Sequence, residues 1–305
     1  MDTSENQYGD ELAWLRLVYT RGIGPKKAWK IYNRLRESSI NLPEVFTDKY
    51  PGFREIVGIS DVLKVRLQES DLCVAEERFN YLQRSSLRLL HPNSEDFPVP
   101  EIPGLPPTLT LWGDLSLLNA REIGVLMKSR DTSDEVLKIF LQKLAREKIP
   151  IRTWCFCPFS RLDWELVESL LKLDCGLILG LVSGISRKAV TLAHEISSGR
   201  MMALAPEPPL RSRGALFACI EAFYRLFCTL NRKVFVIQAR PGGKTAKRII
   251  WAKDLGCKIM ELRVTQRQTG GEGALPVHKR TIKSDQIERK KPLDNDEDDG
   301  FISCL

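Results

Sequence analysis

The first part of the chain carries the spacing of amphipathic helices. Apolar residues recur three and four positions apart, first at Leu12, Leu15 and Val18 and then between Ala28 and Leu35. This period places apolar side chains along one face of a helix. Residues 12–89 are therefore predicted to form several short helices.

The middle of the chain alternates between two patterns. Short apolar runs typical of strands are separated by helical patterns over residues 133–147 and 164–173. Such alternation is typical of an α/β fold with a mostly parallel, Rossmann-like sheet. The runs predicted to be strands are Leu109 to Trp112, Ile123 to Met127, Gly176 to Leu181, Val234 to Ala239 and Lys258 to Leu262.

The last part of the chain has no such period. Beyond Arg263, glycine, glutamine, threonine and charged residues dominate, and a basic stretch precedes an acidic one. This composition predicts a disordered tail, because it offers too little apolar surface to bury. We therefore predict a helical domain over residues 1–88, a Rossmann-like domain over 89–263 and a charged tail over 264–305.

Composition narrows the classes of function. The 305 residues are 43% hydrophobic and 28% charged, as in a folded globular protein. Lysine and arginine number 46 against 39 acidic residues, a net charge of +7. This excess fits a polyanionic partner such as nucleic acid and equally an ordinary basic protein, so the position of the charges must decide.

Other classes receive no support from the sequence. No apolar stretch reaches the roughly 18 to 20 residues that span a membrane, and Met1 to Glu11 lacks the basic-then-apolar pattern of a secretory signal. The eight cysteines and three histidines show no metal-ligand spacing. We therefore expect a cytoplasmic protein with no metal, no cofactor and no membrane contact.

A tight turn separates the first two helical patterns. Gly22 and Gly24 permit a sharp turn, and Pro25 suits the first position of the helix that follows. The amides at that helix start, together with Lys26, would face an anion. This pattern is typical of a helix-hairpin-helix module, which holds a DNA phosphate without reading bases. Such modules also serve in packing or dimerisation, so both interpretations stay open.

A second glycine turn follows the strand predicted to end at Ala239. Gly242 and Gly243 open a helical pattern, where amides at the positive end of a helix dipole favour an anion. The alternative is a plain strand-to-helix turn with a solvated basic face. The cations around the turn are Arg240, Lys244, Lys247 and Arg248.

The order of these features resembles the DprA/Smf family of DNA-processing proteins. Residues 105–114, LPPTLTLWGD, are similar to the family's proline-led strand that ends at glycine. Residues 123–130 resemble its first Rossmann-like strand, which ends in Gly-Ser-Arg. Lys128 stands in place of that glycine, and Ser129 and Arg130 are kept.

Further segments carry the same resemblance. Residues 209–213, PLRSR, resemble the family's Phe-Pro-x-Arg-Asn-Arg segment, whose arginines face DNA phosphates; this implies that role for Arg211 and Arg213. Thr245 lies in the frame of the family's Ser-Gly-x-x-x-Thr-Ala. The phosphate-binding signature Ser-Gly-x-Ala-x-Gly-Ile-Asp would fall on residues 156–163, where only the final aspartate is identical. Losing both glycines removes the close backbone approach that an anion needs.

The resemblance implies a non-catalytic protein that binds single-stranded DNA, forms a homodimer and loads a recombinase of the RecA type during DNA processing, uptake or recombination. One alternative is a nucleotide sensor of the related LOG-type superfold, whose Pro-Gly-Gly-x-Gly-Thr-x-x-Glu motif overlaps residues 241–245. Ile249 stands where that motif needs its acid, so a hydrolase mechanism lacks its carboxylate. A degenerate relative that binds only protein is the other alternative. The residues expected to bind DNA are Gly22, Gly24, Lys26, Ser129, Arg130, Arg211, Arg213, Arg240, Gly242, Gly243, Lys244, Thr245, Lys247 and Arg248.

Overall fold

A computed structural model of the chain describes residues 3–46, 60–70, 72–120, 122–146, 151–185 and 190–262. All of them belong to one unit of the chain. The predicted tail, residues 264–305, lies outside the described residues.

Helices occupy the first part of the chain, as the apolar period predicts. Pro25 is the first residue of the second helix, which buries Ala28, Ile31 and Leu35 along one face. No helix in the described ranges is both long and apolar enough to cross a membrane. The helices before the sheet are α1 (Thr3–Tyr19), α2 (Pro25–Glu37), α3 (Leu42–Val45), α4 (Asp61–Gln68) and α5 (Leu72–Arg84).

A mostly parallel sheet follows and confirms the predicted fold class. The described residues form eight strands in the order β1-β2-β6-β5-β4-β3-β7-β8, of which the six from β6 to β8 are parallel. The strands are β1 (Leu87–Leu90), β2 (Leu109–Trp112), β3 (Ile123–Lys128), β4 (Thr153–Phe156), β5 (Gly176–Gly180), β6 (Met201–Pro206), β7 (Lys233–Gln238) and β8 (Lys258–Glu261). The helices between them are α6 (Asp134–Arg146), α7 (Arg161–Lys172), α8 (Ala193–Ser197), α9 (Arg213–Leu230) and α10 (Lys244–Asp254), with a 3-10 turn over Leu115–Asn119.

Three of these strands were not predicted from the sequence. Every residue of β4 and β6 is buried, so neither strand alternates between apolar and polar positions. Strand β6 is also built from methionine, alanine and leucine, which favour helices. Strand β1 lies where residues up to 89 were predicted to be helical. That prediction was wrong there because β1 pairs antiparallel with β2 and buries three of its four residues.

The strand order marks one position for a ligand. From β3 the chain steps through β4 and β5 to β6, and it then returns to the other side of β3 to form β7 and β8. In open parallel sheets, ligands bind beyond the carboxyl ends of the strands at the point where the order reverses. Here that point lies between β3 and β7.

A buried carboxylate joins the helical part to the sheet. Glu207, which follows β6, is 1% exposed. Arg78 of α5 donates to both of its carboxylate oxygens, at 2.9 Å from Nε to Oε1, and the Tyr19 hydroxyl of α1 donates to the same Oε1. Thr110 of β2 donates to Oε2 at 2.7 Å. A charge buried this deeply is tolerated only when it is paired and fully hydrogen-bonded.

The Glu207→Ala variant tests this joint. It removes the charge that balances Arg78, and we expect the free energy of unfolding to fall by about 3 to 5 kcal/mol. The matched control is Glu101→Ala, whose exposed carboxylate accepts one bond from Asn33 and is expected to cost about 1 kcal/mol or less. Urea denaturation measures both, and equal losses would show that the buried carboxylate does not hold the two parts together.

His91 supplies a pH dependence. The side chain is 3% exposed and stacks on Trp14, and burial lowers its pKa from 6.5 to about 4. Between these two values the unfolded chain binds a proton that the folded chain does not. The contribution of neutral His91 to the free energy of unfolding is therefore full above pH 6.5. It falls by on the order of 3 kcal/mol as the pH drops towards 4.

We expect this dependence to be smaller in a His91→Gln variant. Urea midpoints at several pH values between 4 and 7 measure it, with His194→Gln on the exposed face of α8 as the control. Parallel curves for the wild type and the His91→Gln variant would contradict the assignment.

Candidate nucleic-acid interface

The carboxyl ends of β3 and β7, which lead into residues predicted to bind DNA, lie side by side at the switch point. Strand β3 leads into Ser129 and Arg130, and its parallel neighbour β7 leads into Arg240 and the glycine pair. The Ser129 amide donates to the carbonyl of Gln238 at 2.9 Å, which joins the two strand ends directly. The fold thus brings together residues that lie more than 100 positions apart in the sequence.

The segment from Arg240 to Gly243 forms the turn that opens α10. The Gly243 amide donates to the Arg240 carbonyl at 3.0 Å, and Gly242 has a φ of +75°. Proline followed by a glycine of positive φ is the pattern of a type II turn. Gly243 caps α10 without a side-chain hydrogen bond, and the first turn of this helix holds no acidic residue. Its amides therefore present the positive end of the helix dipole beside Arg240 and Lys244.

Two hydroxyls predicted to contact DNA fasten this turn instead. Ser129 Oγ accepts a bond from the Arg240 amide at 3.0 Å, and the Thr245 hydroxyl donates to the Lys128 carbonyl at 3.0 Å. Both side chains are buried, at 6% and 4% exposure. The structure thus gives Ser129 and Thr245 the role of positioning residues.

Arg248 lies inside the fold. It is 9% exposed, donates to Glu221 at 2.9 Å from Nε and 2.6 Å from an Nη, and stacks over Tyr224. Its charge is therefore balanced within the protein, since a bidentate pair with a carboxylate uses the geometry that a phosphate would need. Arg248, predicted to bind DNA, thus contributes to the fold through Glu221. Lys247 of the same helix is exposed.

Residues 156–163, where the resemblance would place the phosphate-binding signature and which we call the degenerate loop, surround an internal anion. Asp163 Oδ2 accepts the amides of Phe159 and Ser160 at 2.9 and 2.7 Å, and Lys128 Nζ lies 2.7 Å from Oδ1. Lys128 and Asp163 are both about nine-tenths buried. Burial acts to raise the pKa of Asp163, but Lys128 and the two amides outweigh it, so this pKa lies below its usual value. Lys128, which stands where the resemblance expects a glycine, thus neutralises an aspartate that is already bonded to the amides of this loop.

The hairpin turn adjoins the arginine segment. Gly22 has a φ of +90°, the Ile23 amide donates to the Thr20 carbonyl at 3.1 Å, and Gly24 caps α2. A cleft of 170 Å³ separates this turn from the stretch between Pro208 and Arg211. Lys26 is exposed at the start of α2 and lines a neighbouring hollow with the first turn of α9. The structure thus places the turn between α1 and α2 across a small cleft from Arg211.

We call the exposed cations around the switch point the basic edge. They stand at the carboxyl ends of β3, β6 and β7 or on the first turns of the helices that follow. The basic edge consists of Arg130, Arg211, Arg213, Arg240, Lys244 and Lys247.

Sequence reasoning missed two aromatic residues beside the basic edge. Phe159 is 53% exposed, and its ring centroid lies 6.0 Å from that of Phe217 on α9. Lys244 Nζ sits 4.0 Å from the Phe217 centroid, and the Arg213 guanidinium carbon 5.7 Å from it. A phenylalanine in a loop directly after Pro158 could have suggested exposure. The sequence of α9 does not distinguish Phe217 from the phenylalanines that this helix buries.

The Cys157 thiol, a possible nucleophile near this site, is buried. Burial raises the pKa of the Cys157 thiol well above its usual value, so the thiol stays protonated at neutral pH. Over the described ranges, no three histidine, cysteine or acidic side chains converge as a metal site requires.

The fold and its switch point define an α/β protein of the Rossmann-like type, whose sheet is preceded by helices α1 to α5. DNA processing protein A (DprA) of Streptococcus pneumoniae shares this fold: it has a TM-score of 0.53 and 12% identity over 85% of this chain and 88% of its own. This chain therefore has a DprA-like fold, as its sequence resemblance predicts. The single-stranded-DNA-binding DprA of Helicobacter pylori aligns over 59% of this chain and 82% of its own at 17% identity, with a TM-score of 0.43. No protein-family model matches the sequence, and no curated protein sequence does.

The pair formed by Lys128 and Asp163 can be tested by stability. Asp163→Ala leaves the lysine buried without a partner, and we expect the free energy of unfolding to fall by about 3 to 5 kcal/mol. Glu165→Ala breaks the exposed pair with Arg161 and is expected to cost under about 1 kcal/mol. Adding Lys128→Met to Asp163→Ala should recover part of the loss, as urea denaturation will show. No recovery would mean that Asp163 acts through its backbone contacts alone.

Proposed function

We propose that this chain binds single-stranded DNA along the basic edge, without chemistry on the strand. The observation that carries the proposal is the convergence of six exposed cations and the first amides of α10 at the switch point of the sheet. Cations neutralise phosphates and release their counterions, and turn amides position the backbone without reading sequence. The DprA-like fold supports the same conclusion.

The geometry favours a path over the turn rather than over the degenerate loop. The amides of Phe159 and Ser160 are already bonded to Asp163, so that loop has little left to offer a phosphate. The turn between Arg240 and Gly243 carries its cations on the surface. A strand that runs from this turn past Arg213 to Arg211 would end beside the hairpin and Lys26.

A nucleotide sensor is the second candidate. Gly242 and Gly243 open α10 at the switch point, a position that also suits the phosphate of a free nucleotide. A sensor would bind one nucleotide with little dependence on the length of a DNA strand. The cations that continue along the basic edge to Arg211 favour a polymer.

The finer features that the resemblance implies belong to the same proposal. They are a homodimer, a recombinase partner of the RecA type and a cytoplasmic role in DNA processing. Sedimentation of the purified chain tests the dimer, and co-sedimentation with a RecA-type protein on single-stranded DNA tests the partner.

The direct test is fluorescence anisotropy with a labelled dT oligonucleotide at several salt concentrations. We expect salt-sensitive binding with a slope of about 0.7 per phosphate contact. The Arg211→Glu, Lys244→Glu double variant reverses two charges of the basic edge and should weaken binding by more than about tenfold.

The control variant is Lys233→Glu, Lys258→Glu. These lysines are the first residues of β7 and β8, at the amino-terminal ends of the strands and away from the basic edge. The variant changes the net charge by the same amount at a different position. Equal losses in the two variants would point to a general charge effect. No binding at low salt, together with a thermal shift on adding a nucleotide, would replace the proposal with the sensor.

A further inference from the structure

We propose that Phe159 and Phe217 form a stacking platform for a base of the bound strand. This inference rests on the proposed function and deepens it, because it assigns contact with bases as well as with phosphates. No residue of the DNA-binding set predicted from the sequence supplies an aromatic ring. The platform joins the degenerate loop, which contains Phe159, to the basic edge, whose Lys244 lies over Phe217.

The exposure of Phe159 sets it apart from the core. Phe223 and Phe227 of α9 are fully buried and stack on each other with centroids 5.8 Å apart. Phe159 leaves 53% of its surface open and contacts Phe217 from the neighbouring loop. Phe217 is itself half-buried. Phe159 offers the exposed aromatic surface that an unstacked base can cover, and Phe217 packs beside it with Lys244 over its ring.

The backbone holds Phe159 in place before any ligand arrives. Its amide donates to Asp163 Oδ2 at 2.9 Å, and the buried Lys128 fixes the same carboxylate. Pro158 precedes it and restricts the chain. A backbone held in this way loses little conformational freedom on binding, and the contact with Phe217 limits where the ring lies. The ion pair of Lys128 and Asp163 therefore also holds the backbone of Phe159 in the degenerate loop. Phe159 stands where the signature of the resembled family has alanine.

The charges around the rings identify the ligand as a nucleic acid strand. Lys244 and Arg213 both lie over Phe217, within the range of cation–π attraction. A base that stacks here brings its own phosphates to the same cations. An apolar peptide would gain from the rings but would leave the cations without a counter-charge. Single-stranded nucleic acid is the ligand that satisfies both.

Two oligonucleotides of equal length separate bases from phosphates. One is a labelled dT strand, and the other carries the same number of phosphates on abasic sugars. We expect the wild-type chain to bind the dT strand about tenfold or more tightly, because each stacked base adds affinity of that order. The Phe159→Ala, Phe217→Ala double variant should lose this preference and keep its affinity for the abasic strand within about twofold.

Controls separate stacking from folding. Ile250→Ala removes an apolar side chain of similar exposure, 54%, from the outer face of α10 and should leave both affinities unchanged. Phe159→Leu keeps apolar bulk without a π face and should lose most of the preference. Thermal unfolding of each variant reports whether it folds.

The outcomes distinguish this inference from the proposed function. If the wild type binds neither strand, the proposed function fails and the platform fails with it. If it binds both strands equally, the platform is wrong and binding along the basic edge stands. If the double variant loses affinity for both strands to the same extent, the rings support the fold or the phosphate contacts, and the platform is again wrong.

Discussion

The buried pair of Lys128 and Asp163 determines what the carboxyl end of the sheet can bind. Each charge is tolerable only because the other lies 2.7 Å away and the amides of Phe159 and Ser160 complete the carboxylate's hydrogen bonds. The pair closes the loop after β4 to a phosphate and holds Phe159 at the surface. The amides that remain without an acidic neighbour lie two strands further along, at the start of α10, on the other side of β3. The position of the proposed interface follows from where the internal anion sits.

Two groups of basic residues have different roles, which the net charge alone does not reveal. Arg78 and Arg248 each form a bidentate pair with a carboxylate, Glu207 or Glu221, and stabilise the fold. The cations of the basic edge are exposed at strand ends and helix starts. Glu207 also joins α1 and α5 to the sheet, and it lines the cleft between the hairpin turn and Arg211. The buried ion pairs thus order the surface on which the exposed cations stand.

Features of the structure that depend on a local sequence pattern could be predicted, and features that depend on tertiary contacts could not. The period of the apolar residues predicts α2, and the alternation of runs predicts the parallel sheet, because one face of an element is visible in its own sequence. Strands β4 and β6 escape prediction since burial on both faces removes that alternation. The turn before α10 is legible from proline and glycine, whereas the burial of Arg248 depends on Glu221, a residue on another helix. The stacking of Phe217 under Lys244 likewise depends on tertiary contacts that no local pattern records.

The fold persists at 12% identity to the pneumococcal protein because sheets and helices require patterns rather than particular residues. A phosphate loop is less tolerant, since it needs glycines at fixed positions for its amides to approach an anion. In this chain the departures in and around that loop form one arrangement. Lys128 stands where the resemblance expects a glycine, its amine neutralises Asp163, and the carboxylate accepts the amides of Phe159 and Ser160. The residues of this loop thus satisfy one another's charges and hydrogen bonds, and they place the Phe159 ring beside Phe217.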